Sequence, residues 1–334
     1  MDSPDHSREN VDPGLDGQVV RYPIPAVIPP VYTVGYHHAD YLKRYKECLV
    51  RYPMYLTLKE VQKFQASPLD IVVCSQPRTG TTWLSSIITG ILAEGDRSVY
   101  RDGVPMSTRW NFLCYCDPLQ PEERWPVNLL RKMPPGRNIY THLSYDALPS
   151  SLAQGGAKKV YIYRNPKDTV VATYYHLVHQ PRVQFKGDLM DVVESFVNDS
   201  QAFGPYFLHL ASYWKRRGQD PNIFICSFED LKNDFKPTVA RLAKYLGKNL
   251  SPEQIGVIHR ETDFKAAQAN PALNKIERHV EGIFDFNKHP FVRNGSIGQW
   301  KKEFTPAMNS KMDSWIERKM IEHPELRGMK FVYE

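Results

Sequence analysis

A short β-branched run, Ile71 to Ser75 (IVVCS), passes directly into Gln76-Pro77-Arg78-Thr79-Gly80, and beyond it Thr82, Trp83, Leu84, Ile87, Ile88, Ile91 and Leu92 recur at helical spacing. A buried strand, a tight loop and a helix in that order constrain the chain more than any other feature. Strands that alternate with helices pair in parallel and need helices over both faces of the sheet. The loop also carries chemistry, because a helix N-terminus offers unpaired N–H groups and the positive end of a dipole to a phosphate. Gly80 lets the backbone approach, Thr79, Thr81 and Thr82 surround it, the last two with hydroxyl donors, and Arg78 adds a cation. Taken alone, such a loop reads equally well as a capped helix start. It is not a Walker A loop: no glycine stands five residues before Gly80 and no lysine follows it.

Three further runs repeat the strand theme: Asn138 to His142 (NIYTH), Lys159 to Tyr163 (KVYIY) and Ile223 to Ser227 (IFICS). Helices are expected from Pro166 to about His179, from about Lys236 to Leu246 before Gly247, over Ala307 to Glu322, and within Tyr41 to Phe64. The fold class is therefore α/β, a single domain with a central parallel sheet flanked by helices and a P-loop-like phosphate-binding strand-loop-helix. Residues 1–38, rich in Pro, Asp and Gly, read as an N-terminal arm, flexible or laid over the surface, and 39–334 as the domain. The length of 334 residues alone allows two domains or one large one.

Lys plus Arg number 43 and Asp plus Glu 37, a net charge of +6 that favours an anionic ligand. No dense basic block calls for nucleic acid, and no apolar run reaches the roughly 18 residues of a membrane span. The polar start MDSPDHSREN lacks the plan of a signal peptide, so a cytoplasmic location is the default expectation. Five cysteines without a CxxC pair support neither a disulfide framework nor a zinc ribbon, and no metal is expected.

The segment Gln76 to Trp83 resembles the Pro-Lys-Ser-Gly-Thr-Thr-Trp loop by which cytosolic sulfotransferases hold the 5′-phosphosulfate of 3′-phosphoadenosine 5′-phosphosulfate (PAPS). Arg164-Asn165-Pro166-Lys167-Asp168 is similar to the family's second signature. Arg293-Asn294-Gly295-Ser296-Ile297-Gly298-Gln299-Trp300-Lys301 is similar to its C-terminal segment around the 3′-phosphate. Ser227-Phe228-Glu229-Asp230-Leu231 and Thr262-Asp263-Phe264-Lys265 match two further family elements, and together the matches span about residues 40 to 334. The resemblance implies PAPS as co-substrate, with PAP as product. Arg78 would serve the 5′ end, and Arg164, Arg293, Asn294 and Gly295 the 3′-phosphate. Trp83 and Phe264 would sandwich the base, with Thr262 and Phe203 nearby.

In the same family a Lys-Thr-His-Leu strand end carries the catalytic His, which falls on His142. A neutral imidazole suits the removal of a proton from an acceptor hydroxyl near pH 7. His176 and His179 are the next histidines to consider and match no family role. Several positions depart from the pattern: Arg78 replaces a lysine, Tyr140 the lysine before Thr-His, Asn294 a lysine, and Ala172 a serine, with Thr173 beside it. The dimerisation pattern is degraded at Lys301, Thr305, Pro306 and Ser310, so a homodimer is only possible. The acceptor is expected to be a small, largely apolar molecule with a hydroxyl or amine, held by aromatics such as Trp110, Phe112, Tyr115, Phe284 and Phe286. The alternatives are a nucleotide-binding protein with little or no turnover and a P-loop small-molecule kinase.

Overall fold

A computed structural model describes residues 42–334 apart from 47, 115–120, 182–184 and 281. The proposed N-terminal arm and Tyr115 lie outside the described residues. The described chain opens with an antiparallel pair, β1 (Leu42–Tyr45) and β2 (Cys48–Arg51), before the helix Tyr52–Gln62. The helix expected within Tyr41 to Phe64 therefore occupies only the second half of that stretch. Lys46 turns the chain with φ of 50°, and the hairpin hydrogen-bonds through Leu49 to Phe203 and Gly204.

The centre is a five-stranded parallel sheet ordered β4 (Asn111–Phe112), β5 (Asn138–Thr141), β3 (Ile71–Ser75), β6 (Lys158–Tyr163), β7 (Ile223–Ser227). The strand β3 sits in the middle and is buried along its whole length. Its residues alternate between two cores: Val72 and Cys74 pack with one cluster, Ile71 and Val73 with another. Side chains on a strand point to opposite faces at a period of two, and a parallel sheet covered on both sides needs both faces apolar. On one face Leu84, Ile87, Ile88 and Ile91 of the helix Thr81–Leu92 complete the layer; on the other, Phe207 and Trp315 do so from the helices Tyr206–Trp214 and Pro306–Glu322.

The other expected elements stand within a residue or two of their predicted bounds, including the helices Pro166–Val178 and Phe235–Tyr245. Gly247, with φ of 81°, ends the latter as expected. The loops at the carboxyl ends of β3, β5, β6 and β7 gather at one edge of the sheet, the usual place for a ligand in an open α/β fold.

Candidate active site

The loop after β3 turns on two left-handed residues, Arg78 with φ of 69° and Gly80 with φ of 112°. This geometry brings the backbone to the start of the helix Thr81–Leu92. Thr79 turns the other way: its hydroxyl donates to the Gln76 carbonyl at 2.8 Å and lies 3.2 Å from that of Ile162, and the side chain is fully buried. Its expected share in ligand binding is thus restricted to the backbone, because the strained turn points its Cβ into the sheet. Thr81 and Thr82 line the cavity, and the Thr81 hydroxyl lies 2.7 Å from that of Ser75.

His142 follows β5, next to β3 in the sheet. Its Nδ1 lies 2.8 Å from the Ser75 carbonyl, an atom that can only accept, so Nδ1 carries the proton and Nε2 keeps a lone pair. Burial pushes its pKa down to about 4, the bond to Ser75 opposes this, and the charges of Lys275 and Arg78 lower it further. The imidazole is therefore neutral at physiological pH. Behind it, His209 Nε2 lies 3.1 Å from the His142 carbonyl, and the Tyr161 hydroxyl lies 3.0 Å from His209 Nδ1. The chain so formed, with His209 and Tyr161 both buried, holds the backbone at His142.

Three arginines far apart in sequence converge on one cavity of about 710 Å³. Burial pushes Arg78 down to about 10, with Arg164 and Arg293 adding like-charge repulsion. The Arg164 guanidinium lies 4.2 Å from the Phe228 ring, donates to the Ser296 carbonyl at 2.9 Å, and stands 3.5 Å from Asp168. Arg293 lies 3.6 Å from the Tyr175 ring and donates to Gln299 at 2.6 Å. Gathering cations in a partly dry site is unfavourable until an anion enters.

Asp168 locks these parts together. Its carboxylate accepts from the Gly298 and Trp300 amides at 2.9 and 3.1 Å and from the Asn165 side chain at 3.0 Å. Gly295 lies against Phe264, where a Cβ would meet Cδ2 at 2.9 Å. Asn294 fixes its own loop by accepting from the Ser296 amide at 3.0 Å.

Trp83 donates its indole N–H to the Thr262 carbonyl at 2.8 Å and packs at 5.1 Å on Phe228, with Phe264 on the same cavity wall. The Thr262 hydroxyl donates to Ile258 at 2.7 Å, and that of Thr173 to Thr169 at 2.8 Å. Both protons are held within their own helices, so neither threonine presents a free donor to a ligand. Phe203 lies 5.2 Å from the His142 ring and 6.4 Å from Phe112, which puts it among the rings around the histidine rather than beside Trp83.

A sulfotransferase domain family model matches residues 68–324. Human Sulfotransferase 1E1 is 32% identical over 85% of this chain and 95% of its own length. Mouse Sulfotransferase 1B1 is 32% identical over 80% of this chain and 88% of its own. The chain belongs to the sulfotransferase family. Among solved structures, retinol dehydratase in a complex with retinol and PAP superposes with a TM-score of 0.76 at 25% identity, covering 88% of this chain and 91% of that one. A second structure of retinol dehydratase, with androsterone and PAP, gives the same TM-score over 87% and 90%.

Within this sulfotransferase the part of the cavity around Tyr140 and Phe112 is aromatic. Phe112 stacks on Tyr140 at 4.7 Å, so the tyrosine at the lysine position of the family pattern serves as wall. Trp110 lines the same space and donates its indole N–H to Thr89 at 3.0 Å, and Phe284 lines it too. Phe286 packs behind, stacked at 5.1 Å on His279. Of the other histidines, His176 and His179 both line the cavity, and His179 lies 4.7 Å from His289. The residues of the degraded dimer pattern are used within the chain: Lys301 pairs with Glu334, and Thr305 caps the helix Pro306–Glu322. Lys275 and His209 were not marked by any motif: His209 meets Tyr161 and the His142 carbonyl 48 and 67 residues away, and Lys275 stands at the join of two short helices.

Proposed function

We propose that this sulfotransferase moves the sulfuryl group of PAPS to a hydroxyl of a small, largely apolar acceptor in the cytoplasm, with His142 as general base. The observation that carries this reading is the fixed tautomer of His142, whose Nε2 lone pair belongs to the same cavity as Arg78, Arg164 and Arg293. The acceptor oxygen forms a bond to sulfur as the bond from sulfur to the 5′-phosphate oxygen breaks, PAP leaves, and the hydroxyl proton passes to His142 Nε2. Such transfers are governed by in-line positioning and by charge on the equatorial and leaving oxygens. Arg78 and the amides at the start of the helix Thr81–Leu92 supply that charge; Arg78 has no readily lost proton and acts electrostatically. Arg164, Arg293 and the amides around Gly295 receive the 3′-phosphate, and Trp83 with Phe264 the base.

A PAP-binding protein without turnover is the second reading, favoured by Tyr140, Ala172 and Asn294 at positions where the family pattern has polar or basic donors. Thermal shifts with PAP, PAPS and ATP–Mg²⁺ test both: stabilisation by PAP is expected, and a response to ATP alone would reject them. Transfer of radiolabelled sulfate to a panel of phenols and alcohols then separates the enzyme from the silent binder.

A further inference from the structure

Six Lys or Arg side chains line the cavity, and among the described lining residues Asp263 is the sole carboxylate. Arg78, Arg164 and Arg293 face the anionic ends of the donor. Lys232 stands 5.8 Å from the Trp83 ring, at the base, and Arg278 lies 4.0 Å from Glu277. Lys275 is not accounted for by the donor. Its ammonium lies 4.8 Å from the centre of the Phe291 ring, which Arg78 also approaches to 4.8 Å. The same residue shares a hollow with Tyr140, Trp110, Ser107 and Thr81, on the aromatic side of the cavity.

The backbone at Lys275 is left-handed, φ 60° and ψ 35°, at the join between the helices Pro271–Asn274 and Ile276–Val280. Glycine or asparagine adopts that conformation at lower cost, so a lysine there has to gain from its side chain. Burial, then repulsion from Arg278 and Arg78, pushes the ammonium down to about 8, with Glu277 opposing. A desolvated cation between aromatic walls is stabilised by an anion that enters with an apolar body attached.

We propose that the acceptor of this enzyme is an aromatic or apolar hydroxy acid, whose carboxylate pairs with Lys275 while its hydroxyl reaches His142. The inference rests on the sulfotransferase reading and narrows it to acidic acceptors. Uncharged alcohols would leave the ammonium unpaired, and amines would place a second cation beside it.

Hydroxyphenylacetate and hydroxyphenylpropionate, each compared with its own amide at fixed PAPS, test the assignment. At least one acid is expected to exceed its amide in kcat/KM by about tenfold or more. Lys275→Gln is expected to cut that ratio about tenfold with the thermal shift by PAP retained, and Lys275→Glu to turn the preference towards tyramine. Equal kcat/KM for acids and amides in the wild type would overturn the proposal. So would a Lys275→Gln variant that slows acid and amide alike, because the ammonium would then serve the sulfuryl group common to both reactions. Should Lys275→Gln fail to fold, the wild-type ratio decides. Absence of transfer to every phenol would instead reject the sulfotransferase reading. Calorimetric titration of acid against amide on the PAP complex would still judge Lys275, equal affinities counting against it.

Discussion

His142 presents one nitrogen to solvent chemistry and gives the other to the Ser75 carbonyl. Replacing it by Ala is expected to lower turnover by roughly 10²–10⁴-fold while PAP affinity stays within a few fold, as steady-state rates and calorimetry would read. Because its pKa is pushed down to about 4, the acid limb of kcat/KM should fall near that value instead of near 6.5. The sign for folding follows: the unfolded histidine takes up its proton below about 6.5 while the folded one resists to about 4, so stability is full above that window and lost as pH falls through it. A melting temperature that rises from pH 7 to pH 5 would contradict this. Arg293→Ala should weaken PAP at least about tenfold, since a charge-assisted pair contributes about 1.5–3 kcal/mol. His142 and the arginines were legible in the sequence because each belongs to a short run with a local chemical purpose. Lys275 and His209 were not, because their significance is created by partners that only folding brings near.

The join of β3 to its helix depends on Gly80. A Cβ there would meet Phe228 Cδ2 at 3.0 Å and Ile162 Cδ1 at 3.1 Å, on a backbone with φ of 112°. Gly80→Ala is expected to destabilise by about 1–3 kcal/mol in denaturant unfolding and to lower PAP affinity, because the loop amides would move. Strand and helix bounds in this unit were readable from periodicity alone: a five-residue β-branched run followed by a 3.6-residue apolar repeat admits few alternatives. The helix Tyr206–Trp214 was not read, since aromatic residues fill both its faces and blur the period. The hairpin before Tyr52 was also missed; its four-residue strands are stabilised by a distant contact of Leu49 with Phe203 and Gly204.

Two apolar layers on either side of the sheet give the molecule its rigidity, and Trp315 is at the centre of one, packed on Phe196, Tyr206 and Phe207. Trp315→Ala, which empties a fully buried site, should cost about 3–5 kcal/mol by chemical denaturation. The three clustered arginines oppose compaction of the whole chain, so saturating PAP should raise the melting temperature; at a hundredfold excess over Kd the gain is about 2.7 kcal/mol. The overall class was legible because strand and helix patterns alternate along the chain, whereas the order of strands was not, since the short edge strand β4 has only two residues. Asp168 also binds together residues more than a hundred positions apart, taking Gly298 and Trp300 onto the carboxylate that steadies Arg164. During synthesis, then, a ribosome that has delivered the phosphate loop and His142 has not yet delivered a nucleotide site. Nascent chains stalled before Gly298 should emerge unable to retain PAP, and the ligand can protect this enzyme from proteases only after translation has passed that residue.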